Sequence, residues 1–168
     1  MLQQTQKGTK IPSIYDAIKS DHDAHRDLLN TLEQTSGDTP ERREAWDSFY
    51  RDVKSHAAAE EETFYSKLIS ETWGQDSARH SVHEHQQLDD LMEELNGMDM
   101  SSPGWLTKFK TLKHDYEHHI DEEENEVFTR ARETIGEEHN EAFGQRFEER
   151  KKEERGLIEE KREDSLED

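Results

Sequence analysis

Residues 56–60 read His-Ala-Ala-Ala-Glu and residues 119–123 read His-Ile-Asp-Glu-Glu, so each stretch places a glutamate four residues after a histidine. Four residues make slightly more than one turn of an α-helix, so both side chains of each pair lie on one helix face. The apolar residues in phase with the two pairs are Phe49, Val53, Phe64, Leu112 and Tyr116. These stretches therefore predict two amphipathic helices that each point a histidine and a carboxylate into a core.

The spacing of the histidines indicates an internal repeat. His22 precedes His56 by 34 residues and His85 precedes His119 by 34 residues, so the second half follows the first with an offset of 63. His22 and His85 are also in phase with the apolar stripes of their own helices. Two equivalent helical hairpins predict a pseudo-twofold axis, and two equivalent halves suggest two metal ions.

Capping signals and apolar periodicity divide the chain into four amphipathic helices. Thr39 and Ser102, each followed by proline, predict the starts of the second and fourth helices. Residues 74–76, which include a glycine, predict a break before a third helix that begins near Ser77 and has Val82 on its inward face. Because short loops join neighbouring helices in antiparallel pairs, the fold is predicted to be an all-α, up-down four-helix bundle.

The bundle is predicted to occupy residues 1–136, followed by a charged C-terminal helical extension or tail over residues 137–168. In that last segment Phe143 and Phe147 are among the few large apolar side chains. Its many acids and bases can form ion pairs along a helix, but a solvated, partly disordered tail has the same composition. The sequence leaves both alternatives open.

Composition excludes several classes of function. The 168 residues include 42 acids and 22 bases, for a net charge of −20, which argues against nucleic acids and anionic membrane surfaces as partners. No apolar run approaches the length of a membrane-spanning helix, and residues 1–7 lack a signal segment, so a soluble, cytoplasmic protein is expected. The chain has no cysteine, so any metal must be bound by histidine and carboxylate.

Hydrogen-bonded core histidines and glutamates are the alternative to a metal site. Burying four imidazoles and two carboxylates at one level of a small bundle costs on the order of several kcal/mol for each unpaired charge. Two cations would offset that cost directly. The spacing, the phase and the repeat together favour the metal.

The chain from Ile14 to Ala131 resembles the hemerythrin-like HHE cation-binding domain family, whose members are non-haem di-iron four-helix bundles. The elements that carry the resemblance are Asp21-His22, residues 56–61 with Phe64-Tyr65, Glu84-His85, and residues 119–124 with Val127-Phe128. The family usually has proline after each aromatic pair, where this chain has Ser66 and Thr129. This departure concerns helix continuity more than metal binding.

The resemblance implies a set of six metal ligands. The implied terminal nitrogen ligands are His22, His56, His85 and His119, and the implied bridging carboxylates are Glu60 and Glu123. Two iron ions joined by an oxo or hydroxo bridge are expected, with manganese and zinc as alternatives. Oxygen-carrying hemerythrins have a fifth histidine on the third helix, but Ser81 and Asp89 occupy the positions one turn from His85. A dedicated oxygen carrier is therefore not favoured.

Two residues near the ligands have no counterpart in the other half of the repeat. The repeat pairs His25 with Leu88, so a histidine stands where the other half has a leucine. His25 is either a fifth ligand or a hydrogen-bonding partner of a ligand. Tyr116 corresponds to Val53, and its hydroxyl either bonds a metal-bound oxygen or is satisfied within ordinary core packing.

Glu61 and Glu124 directly follow the two glutamates implied as bridges. They are candidates for further ligands, for hydrogen-bonding partners of ligands, or for solvated surface acids. If the inward register is shifted by one residue, they replace Glu60 and Glu123 as ligands.

Two functions follow from the resemblance. The first is a di-iron protein that binds or reacts with dioxygen, peroxide or nitric oxide, including catalase-like peroxide detoxification. The second is an iron or oxygen sensor, or an iron-handling protein, without turnover. Whether the chain is an enzyme is left open, and its protein partner is unknown.

Overall fold

The computed structural model describes residues 12–166, and the side chains of residues 12–161. Over that range the chain forms five helices and no strand. Two of the helices contain a π-helical turn. The helices are α1 (Ile14–Glu33), α2 (Pro40–Glu60, continued by the π-helical Glu61–Tyr65 and by Ser66–Leu68), α3 (Thr72–Asn96), α4 (Pro103–Glu122, continued by the π-helical Glu123–Val127 and by Phe128–Thr134) and α5 (Asn140–Leu166).

The predicted caps of α2 and α4 are confirmed. The Thr39 side chain accepts a hydrogen bond from the backbone N–H of Arg42 at 3.3 Å, and the Ser102 side chain accepts one from Gly104 at 3.3 Å. Proline occupies the first turn of both helices, where its missing N–H costs nothing.

Helix α3 begins earlier than the sequence predicted, and the predicted break at residues 74–76 is wrong. The helix starts at Thr72, and Gly74 lies inside it. A Cβ atom built on Gly74 would lie 1.8 Å from the backbone oxygen of Leu68, so glycine is required here for a close approach of α3 to the end of α2. From the sequence alone, a glycine that ends a helix cannot be told from a glycine that allows two helices to pack closely.

The inward position predicted for Val82 is also wrong, because this side chain is 47% exposed. The buried stripe of α3 passes through Ala78 and Ser81 to Leu88, which leaves Val82 on the flank. The α3 face that carries Val82 borders an open cleft rather than a neighbouring helix.

Two buried apolar clusters lie at opposite ends of the first four helices. Helix α1 contributes Ile14 and Ile18 to one cluster and Leu29 and Leu32 to the other. Between these pairs lie two buried polar residues, His22 and His25. The histidine-rich level of the protein is therefore enclosed above and below by apolar side chains, which exclude water from it.

Helix α5 packs against α1 and α2. Phe147 is fully buried, and its ring lies 5.3 Å from the ring of His56 in an edge-to-face contact. The Lys151 ammonium donates to both carboxylate oxygens of Asp21, at 2.8 and 3.1 Å, and Arg155 forms an ion pair with Asp52. The charged C-terminal segment thus reaches the level of the histidines.

No helix among the described residues combines the length and the apolar character that crossing a bilayer requires. Residues 1–7, for which a signal segment was not expected, lie outside the described part of the chain.

Replacing Gly74 by alanine should lower the free energy of unfolding by about 1–3 kcal/mol, because the new methyl group overlaps the Leu68 carbonyl. The matched control is Gly156→Ala in the exposed part of α5, where nothing lies within 4 Å of the added Cβ. That control should stabilise the protein by about 0.5–1 kcal/mol. Urea unfolding of both variants measures the difference, and equal stability would contradict the packing role of Gly74.

Candidate metal centre

Six side chains from the first four helices meet between the two apolar clusters. Their helical phase brings them together, because each lies on the buried stripe of its own helix. They are His22 of α1, His56 and Glu60 of α2, His85 of α3, and His119 and Glu123 of α4. All six residues singled out by the sequence therefore converge.

The first group of four contains His22, His56, Glu60 and Glu123, which are all buried. One ligand atom from each lies within 4.8 Å of the others. The closest pairs are His56 Nε2 with Glu60 Oε2 at 2.9 Å and His22 Nε2 with Glu123 Oε1 at 3.2 Å. This spacing is suited to one cation surrounded by nitrogen and oxygen donors.

The second group contains Glu60, His85 and His119 and adjoins the first. The Nε2 atoms of His85 and His119 lie 3.1 Å apart, and His85 Nε2 lies 3.5 Å from Glu60 Oε1. His119 Nε2 is 3.9 Å from Glu123 Oε2. Because the two oxygens of each glutamate contact histidines from different groups, Glu60 and Glu123 connect the two positions.

Each of the four histidines also contacts a second carboxylate through its other ring nitrogen. The pairs are His22 Nδ1 with Glu124 at 3.2 Å, His56 Nδ1 with Asp21 at 2.8 Å, His85 Nδ1 with Glu61 at 2.8 Å, and His119 Nδ1 with Glu84 at 3.0 Å. A carboxylate accepts hydrogen bonds, so it keeps the hydrogen on Nδ1 and leaves the Nε2 lone pair for a cation.

These outer carboxylates follow the repeat. Asp21 and Glu84 are 63 residues apart, as are Glu61 and Glu124, and equivalent acids contact equivalent histidines. The structure therefore places Glu61 and Glu124 around the centre rather than in it. Sequence reasoning noted Asp21 and Glu84 as neighbours of histidines but assigned them no contact. Their repeated position before an inward histidine is the signal that could have found them.

His25 and Tyr116 form a buried pair beside the centre. The Tyr116 hydroxyl lies 2.6 Å from His25 Nδ1, and the His25 ring is 5.3 Å from that of His56. Neither residue belongs to the clustered ligand groups found among the described residues. Burial, followed by the charge of His56, holds the pKa of His25 well below its usual value, so the ring is neutral.

Tyr65 is a contact that sequence reasoning missed. Its hydroxyl donates to Glu123 Oε2 at 2.6 Å. Burial and the charge of Glu123 raise the Tyr65 pKa well above its usual value, so the hydroxyl keeps its proton. The equivalent residue in the other half is Phe128, which has no hydroxyl, so a break in the repeat was the available signal.

Without a cation, the carboxylates hold protons on the histidines. Burial lowers the pKa of His22, but its contacts with Glu123 and Glu124 outweigh this and raise the pKa to about 9. Burial lowers the pKa of His85 as well, but Glu60 and Glu61 raise it to about 10. The extra protons supply the positive charge that the buried carboxylates require.

Unpaired polar atoms show that the donor set fits a cation. His22 Nε2, Glu60 Oε1 and Glu123 Oε1 are buried and none is aligned for a hydrogen bond, although His22 Nε2 and Glu123 Oε1 lie 3.2 Å apart and Glu60 Oε1 lies 3.5 Å from His85 Nε2. Buried polar atoms are rarely left unpaired, and these three all point into the cluster of ligand atoms. A cation at this point would satisfy all of them.

A cleft of about 460 Å³ connects the centre with the surface between α2 and α3. His56, His85 and His119 lie at its inner end, together with Tyr116. Its other lining residues are apolar (Tyr50, Val53, Ala57, Ala58, Val82, Leu88, Met92 and Ile158) or charged and polar (Lys54, Glu61, Gln86, Asp89, Glu154 and Lys161), and three of them, Glu154, Ile158 and Lys161, belong to α5. The cleft is wide enough for a small neutral molecule to reach the histidines.

The metal-free protein should become less stable as the pH rises from about 6.5 to about 10. Folding raises the pKa of His22 to about 9 and of His85 to about 10, so their contribution is complete below the unfolded value of 6.5 and is lost as these groups deprotonate. Urea unfolding of chelator-treated protein at several pH values measures this loss. A stability that is flat or rising over this window would contradict it, and the exposed variant His83→Ala should retain the loss.

Comparison with known proteins identifies the family and the fold. A DNA nickase of Nostoc sp. is 27% identical over 135 residues, covering 80% of this chain but 38% of that protein, so this chain spans well under half of its relative. The crystal structure of a hemerythrin HHE cation-binding domain-containing protein from Mycobacterium kansasii has the same fold, with a TM-score of 0.76 at 24% identity over 86% of this chain and 88% of that one. The model of the hemerythrin HHE cation-binding domain matches residues 13–131, and the chain therefore belongs to this family.

Proposed function

We propose that the chain is a non-haem di-iron protein that binds and reacts with a small oxidant: dioxygen, peroxide or nitric oxide. The observation that carries this proposal is the convergence of four imidazole Nε2 atoms and two carboxylates from four helices, in which three of these buried polar atoms form no aligned hydrogen bond. In this proposal the first four helices act as an antiparallel bundle around the centre.

Each metal position would be held by one histidine pair, with the two glutamates between the positions. His22 and His56 would hold the first ion, and His85 and His119 the second. Iron bound by imidazole and carboxylate supplies reversible redox chemistry toward oxygen-derived ligands, and manganese and zinc have the same ligand preferences. Six protein ligands on two ions leave positions for a small molecule.

The chain's own groups keep this site dry and its ligands oriented. The outer carboxylates prevent each imidazole from rotating or changing tautomer. The Tyr65 hydroxyl holds one oxygen of Glu123 at 2.6 Å and so limits how far this carboxylate can shift. The apolar clusters at both ends exclude water, which strengthens the electrostatic interactions inside.

The α1–α4 side and the α2–α3 side of the bundle differ in how easily a small molecule can reach the histidines. Between α1 and α4, Arg26 bonds Asp121 at 3.0 Å and also pairs with Glu124, which closes that side. In the repeat, Asp121 corresponds to Ala58, which lines the cleft between α2 and α3. We therefore infer that the oxidant enters on the α2–α3 side.

Tyr116 and His25 are placed to donate a hydrogen bond on the open side. Tyr116 lines the cleft, and burial raises the pKa of its hydroxyl well above the usual value. When the neutral His25 donates its Nδ1–H to the hydroxyl oxygen at 2.6 Å, the single hydroxyl hydrogen of Tyr116 stays available for the cleft. This pair can donate a hydrogen bond to a ligand that arrives through the cleft.

An iron or oxygen sensor without turnover is the second candidate, and one set of contacts favours it. Lys151 of α5 bonds Asp21, which in turn bonds His56 Nδ1. A change in how His56 is bound would therefore alter the contacts that hold α5 in place, and α5 could transmit occupancy to a partner.

The DNA-nicking activity in the name of the Nostoc relative is not extended to this chain. The relative is much longer than the region it shares with this chain. A net charge of −20 opposes association with a polyanion, because phosphate binding requires Lys and Arg to displace counterions.

Protein expressed with iron should contain about two iron ions per chain by elemental analysis and show near-ultraviolet absorption typical of a bridged pair. Addition of peroxide under air should then release gas. His119→Ala should lower the iron content and the thermal stability, whereas His114→Ala, whose side chain is 84% exposed, should change neither. Two iron ions without turnover would favour the sensor, and no bound metal would overturn both candidates.

Replacing Ala57 by isoleucine should slow the reaction with peroxide by about tenfold, because the larger side chain narrows the cleft. Isoleucine already occupies the equivalent position in the other half, where Ile120 is fully buried. The iron content should be unchanged. Ala24→Ile on the exposed surface of α1 is the matched control, and stopped-flow absorption measures both rates. Equal rates would place the entrance elsewhere.

A further inference from the structure

A second opening reaches the centre between α3 and α4, on the side away from α5. This groove has a volume of about 250 Å³. Its lining is strongly acidic and includes Asp76, His80, Glu84, Glu122, Glu123 and Glu126. The one arginine in the groove, Arg130, is engaged over the ring of Trp73 at 4.6 Å. The groove therefore attracts cations and repels anions.

Three of these residues form a ligand cluster at the mouth of the groove. His80 Nε2 lies 3.1 Å from Glu84 Oε1 and 3.5 Å from Glu122 Oε1. Ligand atoms of all three side chains lie within 4.8 Å of one another. His80 is 56% exposed and the two glutamates are partly buried, so a hydrated cation can reach the cluster from solvent.

The repeat shows that a cation already occupies the equivalent place in the other half. Glu84 corresponds to Asp21, and Asp21 binds the ammonium group of Lys151 at 2.8 and 3.1 Å. Each of these acids also contacts a histidine of the centre, His56 for Asp21 and His119 for Glu84. In the first half, therefore, helix α5 supplies the positive charge.

The second half of the internal repeat has potential metal ligands at two positions where the first half has alanine. His80 corresponds to Ala17 and Glu122 to Ala59, both of them buried alanines in the cluster that contains Phe147. On the α3–α4 side, no helix among the described residues takes the place of α5. A histidine and a glutamate stand there instead, beside an outer carboxylate.

The inner end of the groove reaches the centre itself. Glu123 lines the groove and its side chain is 1% exposed; its Oε1 atom lies 3.2 Å from His22 Nε2 of the centre but is not aligned for a hydrogen bond with it. Glu84 extends from the mouth toward the centre, because its Oε1 atom also accepts from His119 Nδ1 at 3.0 Å. Carboxylate and imidazole groups thus continue from the solvent to the buried ligands.

We propose that His80, Glu84 and Glu122 form an entry site that captures a divalent transition-metal cation and passes it along the α3–α4 groove to the centre. Nitrogen and oxygen donors without thiolate suit such an ion, and the acidic lining favours its arrival. The proposal rests on the proposed function in one respect, since it requires that the buried centre binds metal. It assigns the α3–α4 groove to the cation and leaves the α2–α3 cleft to the oxidant.

Cobalt loading of the metal-free 168-residue chain tests the entry site. The chain is mixed with excess Co²⁺ in a stopped-flow instrument, and the visible absorption of bound cobalt reports filling of the centre. The variant His80→Ala/Glu122→Gln should fill the same number of buried positions as the unmodified protein, but about tenfold more slowly or less. Glu84 is left unchanged because it also orients His119.

The matched control is His83→Ala/Glu133→Gln, which makes the same chemical changes on exposed positions of α3 and α4 outside the groove. It should load at the unmodified rate. Circular dichroism verifies that both variants fold, and Glu122→Gln alone should give a smaller reduction in rate if the double variant does not fold.

The possible results test the entry site and the buried centre independently. A centre that fills at an unchanged rate in His80→Ala/Glu122→Gln would overturn the entry site and leave the proposed function intact. Cobalt binding that is the same in His119→Ala as in the unmodified chain would overturn the proposed function. Slower filling to an unchanged final occupancy would support both.

Discussion

A closed ring of four hydrogen bonds between imidazole and carboxylate is the constraint on which the centre depends. Each bond joins neighbouring helices: His22 of α1 to α4, His119 of α4 to α3, His85 of α3 to α2, and His56 of α2 to α1. The ring fixes the four helices at one level and keeps a hydrogen on each Nδ1. All four Nε2 atoms then face inward, where they meet Glu60 and Glu123.

Burial of so many ionisable groups costs free energy unless their charges are balanced. An uncompensated buried charge costs several kcal/mol, and two buried glutamates with no positive partner would oppose folding. In the metal-free protein, protons on His22 and His85 supply part of the balancing charge, as their raised pKa values show. A cation would supply the same charge and would also bind the buried atoms that form no hydrogen bond, so metal binding would be coupled to folding.

The two halves are equivalent at the ligands and different around them, and the differences are suited to separate tasks. Helix α5 covers the α1–α2 side with Phe147 and Lys151, while Arg26 closes the α1–α4 side. The α2–α3 side stays open to small molecules, and the α3–α4 side has an acidic groove. A symmetric core thus brings the candidate ligands together, and in the proposed function the asymmetric coverage controls access to them.

The sequence by itself determined the helices and the inward histidine–glutamate pairs, because ligand spacing within one helix is a local property of the α-helical turn. The prediction from sequence was wrong about the exposure of Val82 and about the start of α3. The second error arose because a glycine that ends a helix and a glycine that packs against Leu68 look the same in sequence. Only the tertiary structure decided the contacts between distant segments, such as Tyr65 with Glu123 and Lys151 with Asp21, which are 58 and 130 residues apart. Those contacts depend on how the helices are arranged around one another, and the spacing of residues within one helix does not specify that arrangement.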